Sequence, residues 1–224
     1  MSAEFLKSIQ RGATAEVAEA VAAEPALAGW RDGQGVSALL WAVYCGQAAV
    51  LDFLRARLAA EGIALDIFEA AATGDEERLR AIVAAEPESV YAYSGDGWTA
   101  LHLAAAFGTP AVVAALLESG AHVDAVSRNA QQNQPLHAVL ALGRNVDTVK
   151  LLLKHGGEAN ATQAGGFTPI FSAAAANRRD LAELLAAHGA DAGHKSEFGR
   201  TPAEFARERG HAEMAAWLEA QLVP

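Results

Sequence analysis

Histidine is the side chain of this sequence best suited to acid–base or metal chemistry, and the chain has seven. Zinc sites and metalloprotease helices need histidines at close, fixed spacings, and neither His-x-x-x-His nor His-Glu-x-x-His occurs. The single cysteine, Cys45, has no charged neighbour in the sequence that would favour the reactive thiolate. We therefore expect no catalytic residue, no metal ion and no cofactor.

Carboxylates recur at loop positions: Asp32, Asp96, Asp124 and Asp191. An acid–base pair would converge on one substrate, whereas a residue that recurs with a period indicates a structural role in turns. The segments 33–35 and 95–97 resemble fragments of phosphate-binding loops, but no lysine follows either. We interpret both as turns.

Composition limits the classes of partner. The chain has 224 residues, 52% of them hydrophobic, and 17 basic against 27 acidic side chains give a net charge of −10. This charge repels phosphate backbones and anionic membranes, so we expect neither nucleic acid nor a membrane as partner. The apolar stretch 110–117 is far shorter than the roughly 20 residues that cross a bilayer. The lone cysteine and the acidic N-terminus favour a cytoplasmic location.

One short segment repeats along the chain. The residues from Thr99 recur from Gln134, Thr168 and Thr201, at spacings of 35, 34 and 33, and a weaker copy begins at Ser37. Each copy predicts two short helices, since Thr or Ser before Pro is an N-cap signal and a later Gly or Asn ends the first helix. Such short helices are marginal alone, so they must stack on neighbouring units.

The segments 99–105 and 116–125 resemble the ankyrin-repeat family, and the alanine-rich composition is similar to that of its bacterial members. The resemblance implies an all-α ankyrin-repeat solenoid with short β-hairpin-like loops. It also implies that His102 and His137 form hydrogen bonds between neighbouring hairpins.

We divide the chain, as a single domain over 1–224, into about seven helix-turn-helix units. The units are 3–36 as N-terminal cap, 37–64, 65–98, 99–133, 134–167, 168–200, and 201–224 as C-terminal cap. Residues 4–55 align with 66–117 without a gap, and the distance from Ser37 to Leu65 is only 28 residues, too short for a projecting hairpin. We expect a tight turn at the 56–65 junction, and a protrusion at the 126–133 loop, which is two residues longer than its counterpart.

The resemblance implies a function in binding. The family contacts partners through the residue before each repeated segment and those near the end of the first helix, and several of these positions or their neighbours are aromatic or apolar here. The expected partner-binding residues are Tyr44, Tyr93, Trp98, Phe107, Leu142, Phe167 and Phe198. They predict an aromatic stripe in a concave groove, with Phe107 exposed, that binds a protein or peptide with a basic rim. For Trp98 and Phe167, stacking on adjacent hairpins is an equal alternative.

Two other functions stay open at this point. One is a small-molecule enzyme with its site at the 56–65 junction or the 126–133 loop, which a deep pocket lined with converging Asp, His and Arg would favour. The other is a self-associating structural protein, a weak homo-oligomer in which the Tyr44 and Phe107 face of one copy covers that of another.

Overall fold

The computed structural model describes residues 2–143 and 145–222, which form a row of paired antiparallel helices. The first helices of the pairs are α1 (Ser2–Gln10), α3 (Ala38–Tyr44), α5 (Ile67–Thr73), α7 (Ala100–Phe107), α9 (Pro135–Ala138), α11 (Pro169–Ala175) and α13 (Pro202–Glu208). The second helices are α2 (Thr14–Ala23), α4 (Ala48–Ala60), α6 (Glu76–Ala85), α8 (Pro110–Glu118), α10 (Val146–Lys154), α12 (Arg179–Ala187) and α14 (Ala212–Ala220). Within the described ranges there are fourteen α-helices and no β-strand, so the all-α prediction is confirmed.

Side-chain caps fix where the first helices begin. The hydroxyls of Ser37, Thr99 and Thr201 accept hydrogen bonds from the amides three residues later. In the third pair the cap is Asp66, one residue after the predicted start at Leu65, and its capping box with Glu69 starts α5.

The core lies between the two layers of helices. All residues from Ala100 to Ala106 of α7 are buried. Four of these seven are alanines, whose small side chains let the neighbouring first helices approach closely. The second helices contribute larger side chains, such as Leu116, Leu152 and Leu185, each fully buried. Pairs thus bury apolar surface mainly on adjacent pairs, which makes the short helices stable together.

Five loops form a second row beside the first helices. These loops are 32–36, 94–98, 127–133, 163–167 and 196–200, and single antiparallel bridges such as Tyr93 with Thr99 make three of them hairpin-like. The predicted histidine bonds are confirmed: Nε2 of His102 lies 2.9 Å from the carbonyl oxygen of Asn133, and Nε2 of His137 lies 3.1 Å from that of Ala161.

The pair α3 and α4 is followed by no projecting loop. Helix α4 continues to Ala60, the chain turns at Glu61 and Gly62, and α5 begins at Ile67, so the predicted tight turn is confirmed. Loops 32–36 and 94–98 therefore meet directly, and Gly95 lies against the carbonyl oxygen of Gln34.

The 126–133 loop is held within the row rather than standing free. The amide of Arg128 donates to the carbonyl of Gly97 (2.8 Å), and the amide of Ala164 donates to that of Gln131 (2.9 Å). The expected protrusion is thus fixed to the loops on both sides.

An irregularity that we did not predict follows in the next helix. The N-cap residues of the two helices of a pair are 10 positions apart in two neighbouring pairs, Thr99 with Thr109 and Thr168 with Arg178. In the pair between them, Gln134 and Asn145 are 11 positions apart. The extra residue is absorbed by a π-helix over Val139–Gly143 that continues α9. None of the helices over residues 2–143 and 145–222 has the length and apolarity that a bilayer crossing requires.

Candidate functional site

One depression, here called the central groove, has a volume of about 1000 Å³ and lies between the loops and the first helices. Its walls come from α3, α7, the π-helix and four of the five loops. It brings together five of the predicted partner-binding residues: Tyr44, Tyr93, Trp98, Phe107 and Leu142.

These five side chains differ in accessibility. Leu142, on the π-helix, is 54% exposed, and Tyr44, Tyr93 and Phe107 are half-buried. Trp98 is only 8% exposed, with its indole packed against His102 and Phe107 at centroid distances of 5.7 and 6.3 Å. The structure thus supports the alternative that Trp98 mainly stacks within the protein, at the edge of the groove, and is not freely exposed to a partner.

Phe107 corrects a second expectation. Its ring packs on the core and lies 5.5 Å from the ring of Tyr44, so it is not the fully exposed side chain that the sequence predicted. The two rings form one continuous apolar face, to which Leu142 adds a freely accessible aliphatic group.

Asp96 is the acidic group of the groove. Its carboxylate accepts hydrogen bonds from the hydroxyl of Tyr44 (2.7 Å) and from that of Ser94. Burial, and next the hydrogen bond to Asp96, raise the pKa of Tyr44 above its ordinary value, which keeps the phenol protonated as a donor. Sequence analysis placed Asp96 in a turn and missed this contact, because it joins residues 52 positions apart.

Asp32 shows the contrasting, structural use of an aspartate. Its carboxylate accepts the amides of Gln34 and Val36 and the indole N–H of Trp41. These bonds hold the pKa of Asp32 below its usual value although burial opposes them. The turn role that the sequence assigned to Asp32 is confirmed.

The row of loops that carries Asp96 also carries the basic group of the groove, on the neighbouring loop 127–133. The guanidinium of Arg128 lies 3.8 Å from the centre of the Tyr93 ring, a cation–π contact. The same row of loops holds Gln131 and Gln163, which sequence analysis also missed. For Arg128 and Gln131 the signal was the greater length of the 126–133 loop, which we interpreted as a protrusion; nothing in the sequence pointed to Gln163.

Phe167 and Phe198 lie outside the central groove. Phe167 packs against Phe171, Phe198 and Phe205 at centroid distances of 5.2 to 5.9 Å. Phe198 is 67% exposed, and the guanidinium of Arg209 lies 3.8 Å from the centre of the Phe205 ring. The expected single stripe is therefore two aromatic patches.

The places suggested for an enzyme site hold no such constellation. A cleft of about 460 Å³ beside the 56–65 junction is lined by Asp66, Arg78, Glu86 and Ser89 among others, and the 126–133 loop borders the central groove. Neither set of described lining residues includes a histidine. Arg78 uses its Nε–H to hold the carbonyl of Leu65 (2.8 Å), a structural bond of the shortened turn.

The buried histidines are structural too. Burial lowers the pKa of His102 and of His137 to about 4, so both rings are neutral at pH 7. Over residues 2–143 and 145–222, no group of three or more His, Cys, Asp or Glu side chains is arranged to hold a metal ion.

Comparison with known proteins finds one family and several relatives. A family model described as ankyrin repeats (3 copies) matches residues 67–163 and 138–221. The B-cell lymphoma 3 protein homolog of Mus musculus is 37% identical over 114 residues, 51% of this chain and 25% of that protein. The probable E3 ubiquitin-protein ligase XBOS31 of Oryza sativa subsp. japonica is 41% identical over 96 residues, 41% of this chain and 20% of that protein. The cyclin-dependent kinase 4 inhibitor B of Rattus norvegicus is 34% identical over 121 residues, 54% of this chain and 90% of that protein.

Proposed function

Since the chain belongs to the ankyrin-repeat family, whose repeats are typically protein–protein interaction modules, we propose that it acts by binding a protein or peptide partner in the central groove, without catalysis. The matched segments span only a quarter and a fifth of the lymphoma 3 homolog and the ubiquitin ligase, so those proteins indicate no particular activity for this chain. The kinase inhibitor, matched over nine-tenths of its length, acts by its name on a protein, which supports a protein as partner here.

The observation that carries this proposal is where the repeat is irregular. The longer loop contributes Arg128 and Gln131 to the central groove, and the π-helix contributes Leu142. Insertions of the π type are frequent at functional sites, and departures from a regular pattern are expected where function opposes stability. Here two independent departures border one depression.

The groove also has the composition of a binding site. Tyr44, Phe107 and Leu142 give an apolar centre, and Asp96 and Arg128 give polar groups near it. In protein interfaces a few buried aromatic residues contribute most of the binding energy, and a polar rim surrounds them. A scaffold already folded loses little conformational entropy on association.

Several finer statements remain proposals. We propose that units 3–36 and 201–224 are the caps of a seven-unit domain, because their outer faces carry charged side chains. The alanine-rich composition supports a bacterial-type member, and the lone cysteine supports a cytoplasmic location. The net charge of −10 opposes nucleic acid and anionic membranes as partners.

Site-specific photo-cross-linking tests the proposed surface. The photoreactive residue p-benzoylphenylalanine would replace Gln131 at the groove or, as control, Glu118 at the end of α8, in cells that express the chain. We expect a heterologous adduct from position 131 that disappears when Leu142→Asp is added, and none from position 118. Adducts from position 118 alone would contradict the proposal, and an adduct of twice the chain's mass would instead support self-association through this face.

A further inference from the structure

We propose that the partner segment in the central groove is an extended peptide with an arginine, whose guanidinium binds the carboxylate of Asp96 and lies against the rings of Tyr44 and Phe107. This inference rests on the proposed function and adds the chemistry of the partner. It follows from three features of the groove, taken over the described residues: an acceptor that forms no ion pair, an aromatic face beside it, and side-chain amides that form no hydrogen bond.

Asp96 is the acceptor. Both hydroxyls that donate to it, those of Tyr44 and Ser94, are neutral, and no ion pair with Asp96 forms within the described part of the chain. A carboxylate offers about four acceptor positions, so about two remain for a ligand. Arg31, in contrast, is already bound to Asp66 and Glu69. A bidentate guanidinium is the group that matches a half-filled carboxylate in geometry and charge.

The rings beside Asp96 suit the same group. Tyr44 donates to Asp96 and packs on Phe107, so the carboxylate and the two rings border one space. Guanidinium groups stack on aromatic faces more readily than ammonium groups do. The protein itself shows such contacts, with the guanidinium of Arg128 over Tyr93 and that of Arg209 over Phe205, each at 3.8 Å from the ring centre. Leu142 then offers a contact for an apolar residue next to the arginine.

Three glutamines indicate an extended backbone. Gln34, Gln131 and Gln163 lie on three different loops, and all line the groove. Among the residues that the structure describes, the side-chain amide of each forms no hydrogen bond. An amide both donates and accepts, as does a peptide unit, so a row of them fits a peptide that runs along the loops. A helical peptide would leave these amides unused.

Selection from a peptide library tests the inference on the full chain. Phage that display random linear peptides of twelve residues would be panned on the wild type, and the enriched sequences synthesised with a fluorescent label for anisotropy titration. We expect an arginine at one fixed position, next to an apolar residue. Replacing this arginine with citrulline, which has the same shape without the charge, should raise Kd about tenfold or more.

A double-mutant cycle locates the contact. Asp96→Asn should raise Kd about tenfold for the arginine peptide and have little effect on the citrulline peptide. Asp124→Asn, the same change at an exposed aspartate outside the groove, should leave both values unchanged. Equal citrulline effects in wild type and Asp96→Asn would overturn the inference, as would enriched peptides without arginine.

The outcomes separate this inference from the proposed function. Peptides that bind, lose affinity on Leu142→Asp and show no dependence on arginine would overturn the inference alone. Peptides that bind equally well to Leu142→Asp, or a library that yields no binder, would overturn both.

Discussion

Gly95 lies so close to Gln34 that a Cβ atom on the glycine would overlap the carbonyl oxygen of the glutamine. The two residues belong to loops that are not neighbours in the order of the repeats. They meet because the unit between them has a two-residue turn where a loop would stand. The contact closes the row of loops at the edge of the central groove.

Replacing Gly95 with Ala should therefore separate the two loops. The new methyl group would overlap a backbone atom of Gln34, and backbone atoms cannot move aside as a flexible side chain can. We therefore expect a loss of about 1–3 kcal/mol in the free energy of unfolding, measured with urea. Gly33→Ala is the matched control, because Gly33 occupies the equivalent position and a Cβ atom there would meet no neighbour within 4 Å. Equal stability of the two variants would show that the loops separate freely.

The shortened turn is also stabilised by an ion pair. Arg31 donates to Asp66 at 2.9 Å and to Glu69 at 3.2 Å, and the side chain of Glu69 is only 6% exposed. Arg31→Met leaves this buried carboxylate without a cation, and we expect a loss of about 1 kcal/mol or more in urea unfolding. Arg80→Met removes two ion pairs, with the exposed carboxylates of Glu76 and Glu118, and should cause no measurable loss in the free energy of unfolding. A similar effect for both variants would argue against the special role of Arg31.

The hydrogen bond from Tyr44 to Asp96 can be removed without the ring. Tyr44→Phe should lower the free energy of unfolding by about 0.5–1.5 kcal/mol, since the apolar packing on Phe107 is kept. Because the pKa of Tyr44 is raised, its phenol should ionise in a late step, above the ordinary pH for a tyrosine, when absorbance at about 295 nm is followed against pH. If this late step persists in Tyr44→Phe, the assignment is wrong.

Acid should destabilise the protein well above the pH at which carboxylates titrate. The pKa of His102 and of His137 is about 4 in the folded chain against 6.5 as the reference value, so between these values the unfolded chain binds more protons. Stability is then full above about pH 6.5 and falls as pH decreases, by roughly 2 kcal/mol for each ring at about pH 5. Urea unfolding at neutral pH and at about pH 5 measures this loss.

His102→Gln provides the control for that titration. The variant should be less stable at neutral pH, because the bond to Asn133 changes, yet lose only about half as much on acidification to about pH 5. An unchanged loss would mean that groups other than His102 determine the acid sensitivity.

Two groove positions should separate binding from stability. Phe107→Asp places a charge against the core face of α7, so it should lower both partner binding and the unfolding midpoint. Leu142→Asp, at a side chain that is 54% exposed, should abolish binding and leave the midpoint nearly unchanged. Thermal unfolding followed by circular dichroism measures the two midpoints, and the photo-cross-linking assay measures partner binding. A large drop in the midpoint for Leu142→Asp would place this residue in the core.

Local signals explain how much of the fold could be predicted. Caps such as Thr99 and Thr201 act within one turn of helix, so the sequence alone locates these helix starts. The count of 28 residues from Ser37 to Leu65 likewise predicted a tight turn within 56–65, which the structure places at Glu61 and Gly62. Asp66 and Glu69 also have the sequence spacing of a capping box, but the alignment of the repeats placed the start of this unit at Leu65, one position too early.

Contacts between units explain what could not be predicted. Asp96 reaches Tyr44 only because a loop is absent between them, and no pattern around either residue shows this. Burial of Trp98 depends on the helix that packs against it, and the division of the aromatic stripe depends on where the side chain of Phe198 points within the last loop. The extra residue before Asn145 was countable, but its placement as a π-helix is decided by packing against α7 and α11.

The two-residue turn at Glu61 and Gly62 makes the proposed binding surface adjustable through the length of one turn. Inserting about five or six residues there would restore a regular loop, which would have to wedge between Gln34 and Gly95 and move Tyr44 away from Asp96. A protein engineer could thus widen the proposed recognition site in small steps, residue by residue, from a turn that does not line the groove.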